Sequence, residues 1–260
     1  FNSYKSLSKY KSFIDMVSPF WYTLKSTGEI SEVYGGKQDK TISLAQKQNI
    51  NIFPLINNQK TNHQILVKEK VRQKAIDNII KLVITNDYSG VLIDFEYIPA
   101  ETEKDYTRFV QELSRKLHSE NKLLYLAVFP KIGMDKNLTG AYNFSAISEY
   151  IDRITIMTYD KHKGSDNPGP VAPINWVENN IIYTLKHIPA GKIHLGIANY
   201  GYDWTEPGKG RPLALSRAQK LAQGKEIKIN WNNNFKTPYF TYTDNHKRKH
   251  QVWFENSESL

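Results

Sequence analysis

Hydrophobic positions along this chain come in short runs that alternate with helical stripes, and polar residues gather where the runs end. Residues 14–22 (IDMVSPFWY) and 51–57 (NIFPLIN) predict two strands, the first ending in aromatics and the second in amides. Over 67–84, Val71, Ala75, Ile79 and Leu82 recur at helical spacing. Residues 91–96 (VLIDFE) predict a third strand, followed by a helix over 103–118 with Tyr106, Val110, Leu113 and Leu117 on one stripe. Residues 123–129 (LLYLAVF) read as the fourth strand, stopped by Pro130. A short helix near 144–150 leads to the fifth, 154–159, and a helix over 175–187 to the sixth, 193–200. Strands that recur after helical stretches imply parallel βα units of an α/β fold, and near-continuous apolar strands fit a sheet covered by helices.

The rhythm changes after Trp204. A loop is expected from Pro207 to Gly210 and a helix over 213–223. Residues 239–243 and 251–255 flank a polar turn and predict an antiparallel hairpin. No internal repeat, low-complexity tract or coiled-coil pattern interrupts this order.

The third strand carries the chemistry. Side chains alternate along a strand, so Asp94 and Glu96 share one face while Val91, Ile93 and Phe95 share the other. Two carboxylates roughly 7 Å apart at the end of an apolar strand are costly to desolvate. Their repulsion raises the proton affinity of one, which makes a general acid near neutral pH. A strand-end acid can equally be a loop residue or a helix cap. The other strand ends weigh against that: Trp21, Asn57, the run Met157-Thr158-Tyr159-Asp160, Tyr200 and Tyr202 all fall at the same end of successive strands. In a parallel βα barrel, active sites are assembled at that face.

The formal net charge of +9 and pI near 9.3 favour an anionic partner or surface. The one dense basic cluster, His246-Lys247-Arg248-Lys249-His250, lies between strand-like segments and reads as a solvated hairpin tip, so no nucleic acid is expected. Absence of cysteine excludes disulfides, thiol catalysis and cysteine-ligated zinc. The histidines lack an H-E-x-x-H spacing, so neither metal nor cofactor is expected. No apolar run reaches the roughly 20 residues of a membrane span. The chain begins with Phe1, and its lack of a leader says nothing about export.

Four segments in order, GVLIDFE, MTYD, YGYDW and the hairpin before VWFEN, resemble glycoside hydrolase family 18, the fold of many chitinases. SPFWYTL, IDFEY, GPVAPINWV and HQVWFE resemble its branch of bacterial spore-germination and cortex-lytic glycosidases. The resemblance implies a TIM (β/α)8 barrel over 1–204, an α+β hairpin insertion over 205–254 after the seventh strand, and the start of a further barrel helix over 255–260. Six barrel-type strands are visible, so the first and last of the eight are expected to be missing from this chain. The resemblance also implies a monomer, secreted or associated with the wall or spore, that acts on an N-acetylated glycan such as peptidoglycan or a chitin-like oligosaccharide. By the same resemblance Glu96 is the general acid and then base, Asp94 orients the acetamido N–H, and Tyr159 donates to the acetamido oxygen. Trp21, Asn57, Asp160, Tyr200, Tyr202 and Trp204 are the expected sugar contacts. One departure concerns the acids: of the family's D-x-x-D-x-D-x-E, Ser89 and Leu92 replace the first two, and Leu92 is expected to point into the barrel. A chitinase-like protein that binds glycans without cleaving them, and a basic wall-anchoring module, are the competing readings.

Overall fold

The computed structural model describes residues 3–33, 35–58, 63–206 and 209–260. Two compact units emerge, Phe1–Ile156 with Leu185–His194, and Met157–Thr184 with Leu195–Leu260.

The first unit contains β1 (Met16–Val17), β2 (Phe20–Leu24), β3 (Ile30–Glu32), β4 (Asn51–Ile52), β5 (Leu55–Asn58), β6 (Gly90–Asp94), β7 (Leu123–Val128), β8 (Arg153–Ile156) and β9 (Ile193–Leu195). Seven of them form one sheet in the order β3-β2-β5-β6-β7-β8-β9. The successive pairs from β2 to β8 are parallel, as the βα alternation predicts, and among the described residues the sheet does not close into a barrel.

Two predicted strands are each split by a proline. Pro19 divides β1 from β2 and Pro54 divides β4 from β5, because proline offers no N–H to the ladder. Both still accept through their carbonyls, from Leu55 N and Leu92 N respectively. At the head of β6, a side chain on Gly90 would bring its Cβ to 2.1 Å from the Leu123 carbonyl oxygen. Only glycine permits that approach of β6 to β7.

Helix Glu103–Ser119 buries its whole predicted stripe, Tyr106, Val110, Leu113 and Leu117, whereas helix Glu69–Thr85 buries Ala75 and Ile79 with Ile76 and Val83 and leaves the predicted Val71 and Leu82 half-buried. They are tied by the ion pair Arg72–Glu112 at 2.8 Å. The outer face of the sheet, with Leu24, Ile56, Ile93 and Leu126 fully buried, is the core of this unit. No helix among the described residues is long and apolar enough to cross a membrane.

The second unit is built on an antiparallel sheet of β10 (Tyr200–Glu206), β11 (Arg211–Ala214), β12 (Asn230–Asn232), β13 (Thr237–Thr243) and β14 (Lys249–Phe254), in the order β11-β10-β14-β13-β12. The expected hairpin is β13–β14, with Tyr239 opposite Trp253. Of the expected loop, Pro207 and Gly208 lie outside the described residues. Alternation sorts the sheet into two faces. Phe240, Val252 and Phe254 cluster with Ala218 and Ala222 of helix Leu215–Gly224, while Tyr202, Trp204 and Trp253 form the opposite cluster.

Part of the basic hairpin is not a solvated tip. His250 is buried, its Nδ1 lies 2.7 Å from Asp203 Oδ1, and its ring stacks on Tyr242 at 4.3 Å. Tyr242 donates to the other oxygen of Asp203 at 2.7 Å. Replacing His250 with alanine strips Asp203 of one partner in a half-buried setting. It is expected to cost about 1–3 kcal/mol of stability, readable by urea unfolding.

Candidate active site

The parallel sheet brings Asn57 opposite Asp94 in register, so an amide and a carboxyl lie side by side at the ends of β5 and β6. Both are half-buried, and neither Asp94 Oδ1 nor Asn57 Oδ1 has a hydrogen-bond partner among the described residues. Leu92, two residues earlier on the same face, is buried and apolar. Burial first, and the charge of Glu96 second, push the Asp94 carboxyl up to about 7. The Tyr106 hydroxyl, which feels the Asp94 charge, is fully buried and has no partner among the described residues. Desolvation, and then the Asp94 charge, hold that phenol above its ordinary range.

Glu96 lies two residues beyond the last residue of β6. Strand alternation alone does not place it. Asn58 accepts from the Glu96 N–H through Oδ1 at 2.8 Å and donates to the Glu96 carbonyl through Nδ2 at 2.9 Å. The Tyr142 hydroxyl donates to the Phe95 carbonyl at 2.7 Å. The following residue, Tyr97, has φ of 56°, a left-handed conformation that strains a bulky side chain.

A second polar cluster belongs to the other unit. Asp160 also has a left-handed backbone, with φ of 57°. Its Oδ1 accepts from the Tyr200 hydroxyl at 2.5 Å and the Tyr202 hydroxyl at 3.0 Å. Both phenols are held well above their ordinary range, by burial and by their bonds to Asp160. Tyr159 is half-buried against the cluster of Val171, Ala198, Tyr202, Trp204 and Trp253. The loop after Tyr159 is fastened from behind, because the Ala172 N–H donates to Glu255 at 3.1 Å.

Two of the expected sugar contacts, Trp204 and Trp21, are buried and pack on neighbouring aromatics. Trp204 is 1 % exposed and packs on Tyr202 and against the Gly210 backbone. Trp21 is 5 % exposed and packs on Tyr22 and Tyr88, whose hydroxyls are hydrogen-bonded at 2.9 Å. The pairing of β2 with β5 shifts register between Phe20 and Tyr22, on either side of Trp21. Asn58 and Tyr142 are the functional candidates that sequence reasoning missed. Asn58 was legible only as the second amide of a pair.

The sequence profile of glycosyl hydrolases family 18 matches residues 8–260. The chain belongs to this family. Its fold is therefore the TIM-barrel-like α/β fold, seen here as the parallel sheet with its βα crossovers. Among curated relatives, the putative sporulation-specific glycosylase YdhD of Bacillus subtilis is 33% identical over 76% of this chain and 48% of its own length. The cortical fragment-lytic enzyme of the same organism is 28% identical over 84% of this chain and 54% of its own. The chain thus spans about half the length of those two relatives. A solved chitinase from Chromobacterium violaceum superposes with a TM-score of 0.93 at 26% identity, covering 98% of this family 18 chain and 83% of the chitinase.

Proposed function

We propose that this family 18 chain is a glycosidase that cleaves β-1,4 bonds next to N-acetylglucosamine in peptidoglycan of the spore-cortex kind or a related glycan. The observation that carries the reading is the carboxyl pair at the end of β6. Asp94 holds a proton close to neutral pH, and Glu96 sits on a backbone fixed from both sides. The cortical fragment-lytic relative supports the choice of glycan.

The reaction assigned is substrate-assisted. The 2-acetamido oxygen attacks the anomeric carbon of its own sugar while Glu96 protonates the leaving oxygen. The bond to the leaving oxygen breaks and an oxazolinium-like ring forms. Glu96, now ionised, takes a proton from water, which opens that ring at the anomeric carbon and returns the original configuration. This is one of the exceptions to the two-carboxylate scheme. Asp94 orients the acetamido N–H and balances the positive charge on the ring. An ionised Asp94 is costly in the free protein, so its attraction to a developing cation is larger in the transition state than in the ground state. Tyr159 is assigned donation to the acetamido oxygen. Asn57, Asp160, Tyr200 and Tyr202 are assigned sugar contacts. The protein is proposed to act as a monomer at the wall or spore.

The requirement for the N-acetyl group tests this mechanism. Fragments de-N-acetylated at the sugar in the cleavage subsite should be inert, and a thiazoline mimic of the ring intermediate should inhibit competitively. Equal rates on acetylated and deacetylated fragments would rule substrate assistance out.

Leu92 supports a second reading. A buried leucine stands on the Asp94 face where the family carries another acid, so the carboxylate relay is shortened. A protein that binds the glycan and releases no product would fit that alternative.

A further inference from the structure

We infer that Asn58 is a positioning residue for Glu96, fixing the carboxyl against Asp94 by gripping the backbone that carries it. The inference rests on the reading of Glu96 as the acid. Register pairing between β5 and β6 stops at Asn57 opposite Asp94, and β6 itself ends there. Among the described residues, the register pairs of β6 with β5 and β7 end by Asp94. The Asn58 side chain takes their place: unlike a trans peptide group, whose C=O and N–H point apart, its primary amide presents an acceptor and a donor side by side. Both are used, at 2.8 Å to the Glu96 N–H and 2.9 Å to the Glu96 carbonyl. Asn58 is 7% exposed, so water competes little for either bond.

The grip works with two other constraints. Tyr142 holds the preceding carbonyl, and Tyr97 occupies a left-handed conformation that an L-residue adopts only when its surroundings impose it. Released from Asn58, the Glu96–Tyr97 backbone can relax toward ordinary dihedral angles and swing the Glu96 side chain. A displacement near 1 Å at a catalytic group costs about 10²-fold in rate. Few other side chains can substitute. Aspartate keeps the acceptor but loses the donor and sets a negative charge against the Glu96 carbonyl, and leucine keeps neither bond.

The test compares Asn58→Leu and Asn58→Asp with Glu96→Gln, using N-acetylated peptidoglycan fragments and amide exchange followed by NMR. Both Asn58 variants are expected to lose about 10²-fold in kcat with KM held within about threefold. The Glu96 amide should lose its exchange protection, while the Leu92 amide, bonded to Pro54 within the sheet, keeps its own. A merely structural asparagine would lower protection across β5 and β6 and leave kcat per folded molecule unchanged. Should the leucine variant fail to fold, the aspartate variant decides. If either folded variant keeps more than about a third of wild-type kcat while Glu96→Gln is dead, the positioning role is overturned and the acid stands. If Glu96→Gln turns over normally, the reading of the acid is overturned instead.

Discussion

Glu96→Gln should lower kcat on N-acetylated peptidoglycan fragments by at least about 10²-fold while leaving glycan affinity nearly unchanged. The substitution keeps the shape of the side chain and removes the proton that the leaving oxygen must receive. Its backbone grips, to Asn58 and through Phe95 to Tyr142, involve main-chain atoms and survive the change. The loss therefore falls on the chemical step and spares binding. Single-turnover kinetics together with calorimetric titration of the same fragments measure both quantities. A Gln variant that keeps a tenth of wild-type kcat would remove Glu96 from the acid's role.

Asp94→Asn should make the protein more stable and less active, with the stability gain confined to higher pH. In the folded chain Asp94 releases its proton at about 7, against an ordinary value of 3.8. Between those pH values the folded state holds a proton that the unfolded chain has lost, so wild-type stability falls as pH rises through this window. Above about 7 the whole penalty is present, on the order of 2–4 kcal/mol. Asparagine does not titrate. The variant should match wild type near pH 4 and exceed it at pH 8 by several degrees in Tm. Its turnover should fall, because a neutral amide cannot balance the charge of the ring intermediate. Equal melting curves at pH 8 would mean that Asp94 is not held at this cost.

Much of this was legible in the residues. Asp94 is at the end of a strand because GVLID is apolar up to that point, and its register with Asn57 follows from two parallel runs ending in polar groups. Glu96 was right as a neighbour of Asp94 but its support was invisible, since a contact between Asn58 and a backbone 38 residues away leaves no local pattern. β3 escaped for a different reason: three residues, Ile30–Glu32, with one charged, carry no periodicity. The burial of Trp21 and Trp204 was not legible, because an aromatic within a strand serves a core as well as a sugar. Only tertiary packing separates the two uses, on Tyr22 and Tyr88 for one and on Tyr202 and Gly210 for the other. Tyr200 opens β10 instead of closing the sixth parallel strand, which ends at Leu195. Residues 196–199, between the two strands, carry no regular secondary structure.

The central claim is that this chain is a glycosidase that retains configuration through its substrate's own acetamido group. Proton NMR of the freshly released reducing end, recorded during hydrolysis of N-acetylated peptidoglycan fragments, measures that outcome directly. The β-anomer should appear first and then mutarotate toward the equilibrium mixture. Initial release of the α-anomer, or glycan binding with no release at all, would contradict the claim.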